Sequence, residues 1–247
     1  MATLPDAGVW VAGVDGCRAG WVVVLRHRAS GRIRACMVES FAGVLELPEA
    51  PAVIGVDIPI GLPATARPGG RGCEVLARKR LGPRASSVFS APSRRALDAY
   101  RAGAGYRAVS AANRGEDATG PGLSKQTFNI LPKIAEVDAV LRANEPVIVR
   151  EVHPELSFTE ANGGTPMQAR KKELAGRVER VRILERLGFA DPDHLLPDAK
   201  RKDVARDDVL DACIACWTAG RIAEGKGIVL PEDPPRDARG LRMELWC

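Results

Sequence analysis

The sequence predicts an α/β fold: a mixed β-sheet flanked by helices, interrupted after its fourth strand by a large basic insertion. Three observations carry that expectation. Short apolar runs bounded by Gly, Pro and Ser occur in the order β-β-β-α-β before residue 59. Two of these runs end on an aspartate, and the carboxyl ends of strands are where open α/β sheets build their sites. Between residues 59 and 146, 14 Lys+Arg stand against 7 Asp+Glu, whereas the rest of the chain has 22 against 24. The formal charge of +5 therefore originates in the insertion.

Residues 10–14 form a short apolar strand ending on Asp15. A tight connection over 16–20 leads into a second strand at 21–25. A polar turn around Ser30-Gly31 returns the chain through a third strand over 33–39, completing an antiparallel meander. A short helix at 41–47 precedes the run at 52–56, which is apolar on both faces as a buried parallel strand requires. Asp57 ends that strand, and Pro59 and Gly61 break it. The insertion, 59–146, reads as irregular apart from a helix at 133–141. A further strand at 146–152 is stopped by His153-Pro154. An amphipathic helix follows at 167–187, with Leu174, Val178, Val181 and Leu184 as its apolar side. The last helix, 203–224, is apolar almost all round at 209–219 and so predicted to be buried. The tail from Gly227 carries three prolines and is expected to add an edge segment at most.

The 247 residues suit a single domain, 1–247, carrying the insertion. With 45% hydrophobic residues but 4% aromatics, aliphatic side chains and alanine must fill the core. A pI near 9.0 favours polyanionic partners. The six cysteines show no paired zinc spacing, and Cys213 and Cys216 lie within the apolar helix, where they read as small core residues. No basic leader followed by an apolar stretch opens the chain, and no run approaches the roughly 20 apolar residues of a membrane span. The expectation is a cytoplasmic protein with no membrane association and reduced thiols.

The acidic residues carry the chemistry. Asp15 and Asp57 end apolar strands, Glu151 lies near the end of a third, and Asp208 and Asp211 stand one turn apart on the last helix. A three-residue spacing puts the last two on one side. Hard cations such as Mg²⁺ and Mn²⁺ prefer carboxylate oxygens. Two such ions about 3.5–4 Å apart promote phosphodiester hydrolysis. Asp15, Asp57, Asp208 and Asp211 are therefore the expected metal ligands, and those four with Glu151 the expected catalytic acids. Structural readings stand beside these: Asp15 capping the glycine-rich turn, Asp57 forming an Asx turn, Glu151 pairing with an arginine, and Asp208 complementing a helix dipole. For phosphate, the candidates are Arg18, Arg84, Ser86, Arg94, Lys133 and His153. Lys133 can equally pair with Glu136 on its own helix.

Four segments together resemble a known family: Gly13-Val14-Asp15-Gly16-Cys17-Arg18-Ala19-Gly20-Trp21; Ile54-Gly55-Val56-Asp57-Ile58-Pro59-Ile60-Gly61-Leu62-Pro63; Glu151-Val152-His153-Pro154-Glu155-Leu156-Ser157-Phe158; and Asp207-Asp208-Val209-Leu210-Asp211-Ala212. They are similar to the DUF429 family, generally described as predicted ribonuclease H-like nucleases, across about residues 8–225. Residues 122–138 and 151–164 also look like family segments. The final helix is similar to that of RuvC-type Holliday junction resolvases, where two aspartates three residues apart precede an Ala-Leu-rich run. That resemblance implies a ribonuclease H-like fold, with Asp15 as first-strand ligand and Asp57 as fourth-strand acid. The resolvases carry glutamate where this chain has Asp57. Glu151 has no counterpart in them.

The expected function is a metal-dependent nuclease using Mg²⁺ or Mn²⁺, with the basic insertion gripping nucleic acid, and a homodimer by analogy with the resolvases. Two other classes remain open: an actin-like nucleotide-binding phosphotransferase, which normally needs two such cores, and a non-catalytic nucleic-acid or protein binding module.

Overall fold

A computed structural model describes residues 8–116, 118–142, 147–200 and 202–247. It divides into two compact units. The first comprises residues 1–58, 146–229 and 246–247, and the second residues 59–145 and 230–245.

The first unit is built on a five-stranded mixed sheet. Its strands are β1 (Trp10–Cys17), β2 (Gly20–His27), β3 (Ile33–Val38), β4 (Val53–Val56) and β5 (Ile148–Glu151), in the order β3-β2-β1-β4-β5. The meander β1-β2-β3 is antiparallel, while β4 and β5 run parallel to β1. Residue 146, the expected start of the fifth strand, lies outside the described residues. Helix α1 (Phe41–Leu45), capped by the Ser40 side chain, sets Phe41 edge-on to Trp21 at 5.2 Å.

One expectation shifts here. β1 does not end on Asp15 but runs on to Cys17, and Cys17 pairs with Gly20 across a two-residue turn, Arg18-Ala19. Asp15 is thus inside the hairpin, opposite Val22, yet one residue beyond the parallel pairing with β4, which ends at Val14 and Val56. Because ladder hydrogen bonding continues for three residues, the glycines and aspartate there do not break the strand.

Helix α8 (Arg206–Ala223) lies along β1, β2 and β4 and is buried through most of its length. Its close seating has a specific cause. Gly13 and Gly55 are register partners, so both glycines face the helix from adjacent strands. A Cβ on Gly13 would be 2.0 Å from Cys216 N and 2.1 Å from Ala212 O; one on Gly55 would be 2.8 Å from Ala215 O. Helix backbone thus rests directly on strand backbone, opposite the small residues Ala212, Ala215 and Cys216. Cys213 and Cys216 are buried thiols of this interface, and burial raises both pKa values, that of Cys216 to about 12.

Helices α6 (Pro154–Ala161) and α7 (Leu174–Arg186) pack on α8. The expected helix at 167–187 begins seven residues later, and its buried side keeps Leu184 and the partly buried Val181 of the predicted one but not Leu174 or Val178. Leu174 is 74% exposed and Val178 38%, whereas Gly176, Arg180, Ile183 and Leu184 are buried. Hydrophobicity misled the prediction because the face centres on a charged residue. Arg180 is ion-paired with Glu155 of α6 and lies 5.5 Å over the Phe158 ring.

The second unit is more helical than its composition suggested: α2 (Gly72–Leu81), a 3₁₀ turn at Gly82–Ser87, α3 (Arg94–Arg101), α4 (Tyr106–Arg114) and α5 (Lys125–Val140). Helix α5 begins eight residues before the predicted start. Ser124 caps it by accepting from Thr127 N at 3.0 Å, and Pro132 is tolerated inside it. The segment 230–245 belongs to this unit. It delivers Asp237, whose carboxylate accepts from the backbone N–H of Leu62, Arg239 and Leu241. The short strands β6 (Val229–Leu230) and β7 (Leu245–Trp246) pair as a separate two-stranded sheet. Among the described residues, no helix is long and apolar enough to cross a membrane.

Candidate metal centre

The β1–β4 register that pairs Gly13 with Gly55 also sets Asp15 beside Asp57 on the same face, since side chains alternate and both acids are two residues beyond their glycine. Asp57 follows β4 directly, its N–H held by Val14 O at 3.0 Å. Asp211 precedes Ala212, the residue pressed on Gly13, so the helix delivers a third carboxylate to the same point. Asp15, Asp57 and Asp211 each offer an oxygen within 4.8 Å of the others. Three carboxylate oxygens from three separate elements suit a hard divalent cation.

Their electrostatics show what this crowding costs without a cation. Asp15 and Asp211 are buried, Asp57 half-buried. Burial, then the Asp57, Asp211 and Asp208 carboxylates, drive the Asp15 pKa well above the ordinary range. Asp57 is raised to about 8, by burial first and Asp211 next, with Glu151 and Glu155 contributing. Burial likewise raises Asp211, against the pull of Lys171. One Asp15 oxygen also accepts from Gly16 N, the next residue of β1, at 2.7 Å.

Asp208 is not in the triad. Its Oδ2 accepts from Ala205 N at 2.8 Å, capping α8, and burial raises it to about 6. It still acts on Asp15 through space. Glu151 is buried at the end of β5, paired in register with Val56 and close enough to raise Asp57. His153 is the N-cap residue of α6 and half-buried.

A residue the sequence reading missed completes the cluster. Lys171 Nζ donates to Asp211 Oδ2 at 2.8 Å and lies 3.7 Å from Asp207. The carboxylates raise its pKa, Asp211 most, so it stays charged. The segment 168–173 carries it there. Glu179 accepts from Gln168 N and Ala169 N, Arg180 Nη1 donates to Ala169 O, and Gly176 lets Arg170 O approach the helix. The signal was the basic triplet Arg170-Lys171-Lys172 after Pro166, hidden by extending the helix through it.

The phosphate candidates in the insertion are dispersed, and several of its cations are engaged internally. Arg94 donates to Asp138 and Asp237, and Arg101 and Arg239 also pair with Asp138. Although burial opposes it, Arg94, Arg239 and Arg101 together hold the Asp138 carboxyl below its usual pKa. Arg71 pairs with Glu74, and Arg78 donates to Val88 O and Gly69 O. Lys133 is 3.8 Å from Glu136. Arg84 and Ser86 occupy the 3₁₀ turn, half-buried and exposed respectively. Arg18 is exposed at the β1–β2 turn.

Residues 13–236 match the family model described as a protein of unknown function, DUF429. The chain belongs to the DUF429 family. Neither curated proteins nor solved structures gave a significant match. The matched span takes in the whole acidic cluster of this DUF429 chain, from Asp15 to Asp211, together with Lys171.

Proposed function

We propose that this DUF429 chain is a metal-dependent phosphodiester hydrolase acting on nucleic acid, with a ribonuclease H-like core. The observation that carries the reading is the convergence of Asp15, Asp57 and Asp211 within 4.8 Å at the carboxyl end of the parallel strands. The β-β-β-α-β opening, with acids on β1, after β4 and on the last helix, supports the core assignment.

Asp15, Asp57 and Asp211 would hold the ion, and Mg²⁺ or Mn²⁺ supplies charge to neutralise a phosphate and to acidify a water when bound. The chain's own residues do the positioning. The paired glycines fix the helix-to-sheet distance and hence the separation of Asp211 from the strand acids. Lys171 holds the Asp211 carboxylate in one orientation. The Glu155–Arg180 pair locks α6 to α7 behind it. Asp208 and Glu151 supply further negative charge around the triad.

A second reading, a non-catalytic module, draws on one observation: Lys171 already gives Asp211 a cationic partner. Cleavage of labelled DNA and RNA, structured and single-stranded, in Mn²⁺ and in EDTA, tests the main reading. Metal-dependent cleavage by the native chain, lost in Asp15→Asn, is the expected result. Equal traces for the two proteins would sink it.

A further inference from the structure

Beside the acid triad, wholly within the first unit, is a cavity of about 320 Å³. Lys171, Lys172, Arg177, Arg180 and Arg206 line it, together with Leu210. Its two acids are Asp207 and Asp211, and Asp211 is the triad's own third member. A strongly cationic cavity sharing a wall with a carboxylate cluster has a surplus that the cluster does not consume. Arg177 is neutralised by Asp193, Arg180 by Glu155 and Lys171 by Asp211. Lys172 and Arg206 are exposed, and among the described residues neither makes an ion pair. They leave the cavity net positive at its mouth.

A second feature points the same way. Helix α8 opens at this cavity, with Arg206 as its first residue. The first backbone N–H groups of a helix lack intrahelical acceptors and favour an anion. The Asp208 side chain is turned back on Ala205 N, the residue that caps the helix.

We propose that this cavity is the phosphate subsite of the enzyme, receiving the phosphate group of a phosphodiester substrate between Lys172 and Arg206 at the rim and Lys171 at the boundary with the triad. The inference rests on the hydrolase reading above and moves the phosphate grip from the basic insertion to the loop before α7 and the start of α8. Size permits it, since ligand pockets begin at about 300 Å³. Guanidinium and ammonium donors are the groups that bind phosphate oxygens most strongly.

Calorimetric titration of the full chain in EDTA, first with inorganic phosphate and then with a dinucleotide holding one internal phosphodiester, tests it. Saturable binding of both is expected, weakened about tenfold or more in Lys172→Ala/Arg206→Ala, two exposed sites whose replacement leaves the melting temperature unchanged. Arg84→Ala/Ser86→Ala, in the insertion, should bind both ligands like the native chain. The proposal is overturned if the first double variant keeps native affinity, if the loss appears only in the second, or if the native chain binds neither ligand or only inorganic phosphate. A parallel Mn²⁺ thermal shift keeps the two readings apart. Its absence removes the metal hydrolase while leaving an anion site, whereas a normal shift with no phosphate binding removes the subsite alone.

Discussion

Gly13→Ala should damage both the fold and the metal centre, because the added methyl meets backbone on the other side. The new Cβ would be 2.0 Å from Cys216 N and 2.1 Å from Ala212 O. Ordinary contact needs about 3.5 Å, so α8 must withdraw by about 1.5 Å. No rotamer change can absorb this, since both opposing atoms are main chain. Overpacking of a core typically costs about 1–3 kcal/mol, and a backbone clash belongs at or above the upper end, so about 3 kcal/mol is expected. The same withdrawal carries Asp211 away from Asp15 and Asp57. Metal–oxygen distances tolerate only about 0.2 Å, so Mn²⁺ affinity should fall about tenfold or more. Urea unfolding followed by tryptophan fluorescence reads the first effect, and Mn²⁺ calorimetry the second. Gly72→Ala is the control. Its Cβ would meet nothing within 4 Å at the start of α2, so stability should hold or rise by up to about 1 kcal/mol. If Gly13→Ala unfolds within about 0.5 kcal/mol of the native chain and binds Mn²⁺ within about twofold, glycine-mediated seating does not set the site.

Three other outcomes follow from the same structure. In EDTA, Asp57→Asn should be the more stable protein at alkaline pH. The native carboxyl, raised to about 8, keeps its proton up to that pH, and the stability that proton supplies is lost as pH rises from the unfolded value to about 8. The gain should grow from near zero at about pH 4 to a few kcal/mol above about pH 8, and pH-resolved urea curves that stay parallel would refute it. Saturating Mn²⁺ at about 100 times its Kd should add about 2.7 kcal/mol, a rise of roughly 5–10 °C in Tm, and Asp15→Asn should abolish the rise. Arg180→Met strands Glu155 in the core and should cost about 3–5 kcal/mol by chemical denaturation, with Glu155→Gln added to the same chain recovering part; no recovery would show that packing, not charge, dominates.

The five strands, the final helix and the acids Asp15, Asp57 and Asp211 were legible because each depends on local pattern: apolar runs, breakers and an acid at a fixed place relative to them. The structure moved the end of β1 beyond Asp15, since a two-residue turn at Arg18-Ala19 lets glycines stay in the ladder. What was illegible depends on partners distant in sequence. The buried face of α7 was hidden because Arg180 at its centre is a charge that Glu155 and Phe158, more than 20 residues away, hold in the core. Lys171 looked helical because nothing nearby announces that Glu179 and Arg180 fold its segment back. The arginines of the insertion looked free because Asp138 and Asp237 are 44 and 143 residues from Arg94. Composition reports how many cations a segment holds, not how many its own acids have already taken.

The triad also has a topological price. Asp15 and Asp57 come together when β1 and β4 pair, but Asp211 arrives from almost two hundred residues downstream of Asp15. Closing so long a loop is entropically late, and contacts of this separation slow folding. The third carboxylate is therefore a timestamp. Any intermediate in which α8 has not yet docked on Gly13 and Gly55 has two strand acids and no complete cage. Mn²⁺ uptake during refolding, followed beside tryptophan fluorescence, would then mark the last step of core assembly rather than its first.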